Sequence, residues 1–186
     1  MKQLRCVICG MDINNNNYNL NSNGFLNKNS VENIEHCPFC GVDKEFFIEA
    51  GQVFCIAQEL DIKTLSILEK AMKLETFNGD FYAEAAKLAK AENIKNMFKD
   101  LSKIEYMHAR IHKTIGGFKE NPILNKLDYS KYNSDIMLLE MAKQREEHAI
   151  SFYEKNYSQV SSSMIQKVFE GLTKVEQEHV ELTNID

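Results

Sequence analysis

The chain has 186 residues, 44% apolar and 26% charged, with a formal net charge of −5. That suffices for one ordinary core with a small satellite, and the acidic balance argues against nucleic acid or an anionic membrane surface as the main partner. No apolar run reaches the ~20 residues of a membrane span, and the opening MKQLRCVICG lacks a signal peptide's apolar stretch, so a cytoplasmic protein with reduced thiols is expected.

Residues 1–50 form the first predicted unit. Cys6 and Cys9 in CVICG, and Cys37 and Cys40 in CPFCG, make two CxxC pairs, which in a reducing compartment suggest a metal rather than disulfides. Two such turns present four thiolates in a tetrahedral array, suited to zinc or a single iron. Between them, ten of the 22 residues from Asp12 to Asn33 are asparagine. Such a stretch favours turns and offers little to bury, so an irregular loop is expected. Residues 51–62 read as a linker, and Cys55, outside both pairs, as a buried thiol.

Over 63–186 the pattern is helical, with helices expected at 63–90, 93–115, 133–157 and 162–183. A shift of 71 residues aligns 65–111 with 136–182 without a gap, giving 12 identities in 47 positions; chance at ~6% identity would give about three. Leu68, Ala71, Glu75, Phe81 and Tyr82 match Leu139, Ala142, Glu146, Phe152 and Tyr153; Phe98, Leu101, Glu105 and His108 match Phe169, Leu172, Glu176 and His179. A helix pair is used twice, so a pseudo-two-fold four-helix bundle is the expected architecture. The connection from Gly116 to about Tyr132 can reach roughly 55 Å when extended, whereas a 24-residue helix is only ~36 Å long. It can therefore cross the whole bundle, as a ferritin-like arrangement requires.

At heptad spacing, the inward stripe of every helix carries one glutamate among apolar residues: Glu75, Glu105, Glu146 and Glu176. Four ionised carboxylates facing one another in a bundle repel, and each costs several kcal/mol to desolvate. Two divalent cations would cancel them. Glu105 with His108, and Glu176 with His179, each form Glu-x-x-His on one helical face, so both side chains can address one metal. Glu75 and Glu146, each alone on its helix, can bridge or cap. This ligand set is that of di-iron carboxylate bundles, and mixed carboxylate and imidazole donors suit iron or manganese. His112 and His148 have no histidine at the repeat offset and are expected beside the ligands or on the surface. Tyr82 and Tyr153 lie seven residues after Glu75 and Glu146, on the same face, either as core aromatics or as groups that hydrogen-bond the ligands or supply an electron.

CVICG and CPFCGVDKEFF resemble rubredoxin, with Val42, Lys44 and Phe47 extending the likeness beyond Cys40; tryptophan and the usual aromatic middle are missing. Together the two regions resemble the rubrerythrins in reversed order: a rubredoxin-like or zinc-ribbon-like four-cysteine domain precedes a ferritin-like bundle, in a mainly α fold. The resemblance implies two iron ions held by Glu75, Glu105, His108, Glu146, Glu176 and His179, and a mononuclear iron (or zinc) at Cys6, Cys9, Cys37 and Cys40. It also implies reduction of hydrogen peroxide, or dioxygen, to water, with electrons from an external reductase passing through the four-cysteine iron. A homodimer is implied, with the four-cysteine domain of one chain near the bundle of the other. Where typical members carry a further glutamate, this chain has Ala149, and the repeat mate of that position is Asn78, so the family's redox-linked ligand exchange is not expected. Two other functions fit the same residues: a ferroxidase or iron-handling protein, and a non-catalytic zinc-ribbon sensor of iron or oxidant.

Overall fold

The computed structural model describes residues 3–50, 59–125 and 127–184. Most of the 51–62 linker, including Cys55, lies outside them. The amino-terminal unit is a small antiparallel sheet with β1 (Leu4–Cys6) at its centre. It pairs with β2 (Asp12–Ile13), Leu4 opposite Ile13, and with β3 (Phe47–Glu49), Cys6 opposite Phe47. Arg5 and Asp12, opposite each other on β1 and β2, form a two-pronged ion pair at 2.7 and 3.1 Å.

Four helices follow: α1 (Ile62–Leu88), α2 (Glu92–Gly116), α3 (Asp135–Tyr157) and α4 (Ser163–Leu182). Each lies within two residues of its expected span. Local chemistry sets several ends. Asp61 caps α1 by accepting from the Thr64 N–H at 2.8 Å, and Ser134 caps α3 by accepting from Met137. Gly117, at φ +66°, closes α2 in the left-handed conformation that glycine adopts without penalty.

The long connection does cross the bundle. Asp135, opening α3, accepts from the backbone N–H groups of Lys90 and Ala91 at 2.7 and 2.9 Å, which places the start of α3 at the α1–α2 turn, a full helix length from the end of α2. At the opposite end, Thr64 and Ser161 hydroxyls meet at 3.1 Å, joining the start of α1 to the α3–α4 turn. Tyr129 of the connection seals against Phe81, ring centroids 5.3 Å apart.

The asparagine-rich stretch is irregular, as expected, but it is not idle surface. Asn23 donates to Asp100 of α2 at 2.7 Å, and buried Asn29 ties the carbonyls of Tyr18 and His36 together at 2.9 Å each. Its Ile13 and Phe25 are buried. One apolar core therefore runs from Cys6, Ile8 and Val42 through Leu68 and Ala71 of α1 to Phe169, Leu172 and Val175 of α4. A second fills the far end of the bundle around Phe81, Phe98, Leu101 and Leu138. Between the two apolar masses lies a polar layer.

Candidate metal centres

That layer consists of the inward glutamates and histidines. Glu75, Glu105, Glu146, Glu176 and His108 are fully buried, and His179 is 1% exposed. Two groups of possible ligand atoms converge, each within 4.8 Å: Glu75, Glu105, His108 and Glu176, and Glu105, Glu146, Glu176 and His179. Glu105 and Glu176 belong to both, so they are placed to bridge, while Glu75 and Glu146 cap one side each. Sequence spacing left that choice open.

His108 Nδ1 lies 3.1 Å from Glu176 and 3.6 Å from Glu105, and His179 Nδ1 lies 3.3 Å from Glu105 and 3.0 Å from Glu176. The imidazole rings are almost parallel, 19° apart, with centroids separated by 6.3 Å. Both Glu105 oxygens, one oxygen each of Glu75, Glu146 and Glu176, and His108 Nδ1 have no hydrogen-bond partner. Buried polar atoms rarely go unpartnered. Lone pairs crowded together without hydrogen-bond alignment are what a pair of cations would require, so these residues fit two divalent metal ions.

The protein's own charges show the same need. Burial, then the neighbouring Glu176 and Glu105, push the Glu75 carboxyl up, and burial with Glu105 and Glu176 does the same to Glu146. Burial alone would lower both imidazoles, but the glutamates outweigh it; His108 is raised and His179 is pushed up to about 10. Burial also works against Glu105, yet its contacts with His108 and His179 hold it well below the usual carboxylate range. Glu75, Glu146, His108 and His179 are thus all shifted toward their protonated forms, the direction in which each gains positive charge.

Each tyrosine reaches across the pseudo-two-fold: Tyr82 of α1 donates to Glu146 of α3, and Tyr153 of α3 donates to Glu75 of α1. Both are fully buried. His148 is exposed, whereas His112 is buried with Nε2 2.8 Å from the Tyr153 hydroxyl. Ala149 is fully buried and supplies no ligand, and Asn78 is buried with its amide nitrogen unpartnered.

The four cysteines also meet. Cys6 and Cys40 sulfurs are 3.8 Å apart, and Cys9 and Cys37 sulfurs 3.7 Å. A tetrahedral ion with bonds of about 2.3 Å to sulfur has edges of about 3.8 Å, so the set fits one such ion. Gly10 and Gly41 follow the second cysteine of each pair at φ +75° and +80°. Gly41 is required twice over, since a Cβ there would also stand 2.7 Å from Val175 of α4.

The two centres touch through one bond, His108 Nε2 to the backbone carbonyl of Cys40, at 2.9 Å. This contact joins the amino-terminal unit to α2. Lys174 with Glu45 at 2.7 Å supports the same packing from α4. Neither this junction nor the role of His112 was legible in spacing, because nothing in the sequence states how the two units dock. A cleft of about 840 Å³ along α1, α2 and the start of the connection is lined by none of the ligands.

The family model for Rubrerythrin matches residues 66–184, and the chain belongs to that family. No curated protein and no solved structure matches it. Among the described residues, no helix is long and apolar enough to cross a membrane.

Proposed function

We propose that this member of the rubrerythrin family is a non-haem di-iron oxidoreductase that reduces hydrogen peroxide, or dioxygen, to water. Its electrons would pass through an iron held by Cys6, Cys9, Cys37 and Cys40. The observation that carries this reading is the 2.9 Å bond from His108, in the bundle centre, to the Cys40 carbonyl in the four-cysteine centre. A bond of that kind gives the two centres a short covalent and hydrogen-bonded path, which a purely structural zinc unit would not need.

Two ferrous ions supply two electrons when bound, matching the two electrons and two protons that convert one peroxide to two waters. Glu105 and Glu176, which belong to both ligand groups, would hold the pair together, and Glu75, His108, Glu146 and His179 would complete the two sides. Tyr82 and Tyr153 orient the capping carboxylates by donating to them. Bundle residues keep water out of the layer, which strengthens each of these interactions. Cys40 is fully buried against the bundle while Cys9 is partly exposed, so an external reductase would deliver electrons at the Cys9 edge. A homodimer is compatible with this route, which does not require one.

Metal content and single-turnover kinetics test the proposal. Protein purified without oxygen should hold about three irons per chain, and one equivalent of peroxide should take two electrons from its fully reduced form, enough to oxidise two of the three irons. Two irons with one zinc would redirect the reading to iron oxidation. Fully reduced, iron-loaded protein inert to peroxide and dioxygen would refute it.

A further inference from the structure

The repeat makes the two halves of the bundle similar, and His112 is one of the residues at which they differ. At the offset of 71, His112 corresponds to Thr183. Thr183 commits its hydroxyl to the backbone carbonyls of His179 and Val180, at 2.9 and 3.1 Å. His112 instead places Nε2 2.8 Å from the Tyr153 hydroxyl. Since that hydroxyl donates to Glu75, its oxygen must accept from the imidazole. Nε2 therefore carries the hydrogen, and Nδ1, which has no hydrogen-bond partner, is a bare lone pair. Burial, with His108 nearby, holds the ring down to about 3, so it is neutral.

The surroundings fix this chain in place. Phe169 packs against both rings, its centroid 5.0 Å from Tyr153 and 5.9 Å from His112. Tyr82 has no counterpart to the imidazole: its ring lies against Phe81 and Phe98, and its hydroxyl meets Glu146.

We infer that His112 is a positioning residue for Tyr153, that it holds the phenolic hydrogen on Glu75, and that it thereby distinguishes the Glu75 cap of the metal site from the Glu146 cap. Two aligned hydrogen bonds, His112 to Tyr153 to Glu75, end on one capping carboxylate, and a single bond ends on the other. Donation into the phenol oxygen strengthens the phenol as a donor in turn. Partners behind a ligand that fix its orientation are worth about 10- to 100-fold in metal affinity. The inference rests on the di-metal reading of the bundle and deepens it by naming a difference between the two caps.

Two measurements test it, and neither uses turnover. Nitrogen-15 NMR of the zinc-loaded wild-type chain should show His112 as the Nε2–H tautomer, shifted by Tyr153→Phe and unmoved by Tyr82→Phe. An Nδ1–H tautomer, or indifference to Tyr153→Phe, overturns the inference. Titration with Co(II), the four-cysteine site already filled, should show two bundle ions in wild type. His112→Phe should weaken one of them about tenfold or more, while His112→Gln, whose amide can still donate to Tyr153, restores it. Equal weakening of both ions, or no rescue by glutamine, overturns the positioning role. Should His112→Phe fail to fold, the wild-type tautomer and the glutamine variant still decide. Failure of the di-metal reading itself shows separately, as a wild-type bundle that takes up fewer than two ions.

Discussion

Loading the bundle with two divalent ions should expel about four protons. In the metal-free site, Glu75, Glu146, His108 and His179 are all shifted toward their protonated forms by burial or by the neighbouring carboxylates, and protons on them would supply the positive charge. Each must be deprotonated to act as a ligand. Four protons leave as two doubly charged ions arrive, so the net charge of the layer stays constant. The linked slope is two protons per ion, or about 2.7 kcal/mol of apparent binding free energy per pH unit at ~1.36 kcal/mol per proton. Affinity rises with pH and is lost on acidification. Calorimetry with Co(II), on protein whose four-cysteine site is already filled, reads the proton count from the dependence of heat on buffer ionisation enthalpy. A count near four supports the charge balance. Release of one proton or none would show that the layer tolerates uncompensated carboxylates without metal, and the reasoning would fail.

Because Glu105 and Glu176 belong to both ligand groups, Glu105→Ala or Glu176→Ala should cost both bundle ions, and Glu75→Ala or Glu146→Ala mainly one; metal analysis after gel filtration distinguishes the two patterns. Acid stability should fall as two buried neutral imidazoles charge: His36, pushed down to about 4, and His112, to about 3, both chiefly by burial. Their folded values lie below the unfolded value of 6.5, so the stability they contribute is present above pH 6.5 and lost as pH falls through 4 and 3, and thermal melts of metal-free His112→Phe should show a shallower acid limb. Gly41→Ala should destabilise the chain by more than ~1 kcal/mol, since it forces a side chain to φ +80° and against Val175. Thermal melts and faster proteolysis of the amino-terminal unit check this, and Val175→Ala should recover only the part due to the clash.

Much of the bundle was legible in the sequence because its chemistry repeats. Twelve identities at one offset, with a glutamate on each apolar stripe, fix helix spacing and inward faces through 3.6-residue periodicity alone. Those faces brought Glu75, Glu105, His108, Glu146, Glu176 and His179 together, and two CxxC turns likewise carried their four-sulfur geometry within a few residues. The long connection announced its crossing by length. Tertiary structure decided the rest. Which glutamates bridge depends on the relative height of four separate helices, which no single helix's periodicity records. That Tyr82 and Tyr153 reach across the two-fold to each other's glutamate is a property of packing between α1 and α3. The asparagine-rich stretch looked like solvated loop because composition weighs side chains one at a time, whereas Asn23 on Asp100 and His108 on the Cys40 carbonyl are partnerships between segments tens of residues apart. Local chemistry determines what each segment can offer, and only the docking of segments determines which offer is taken.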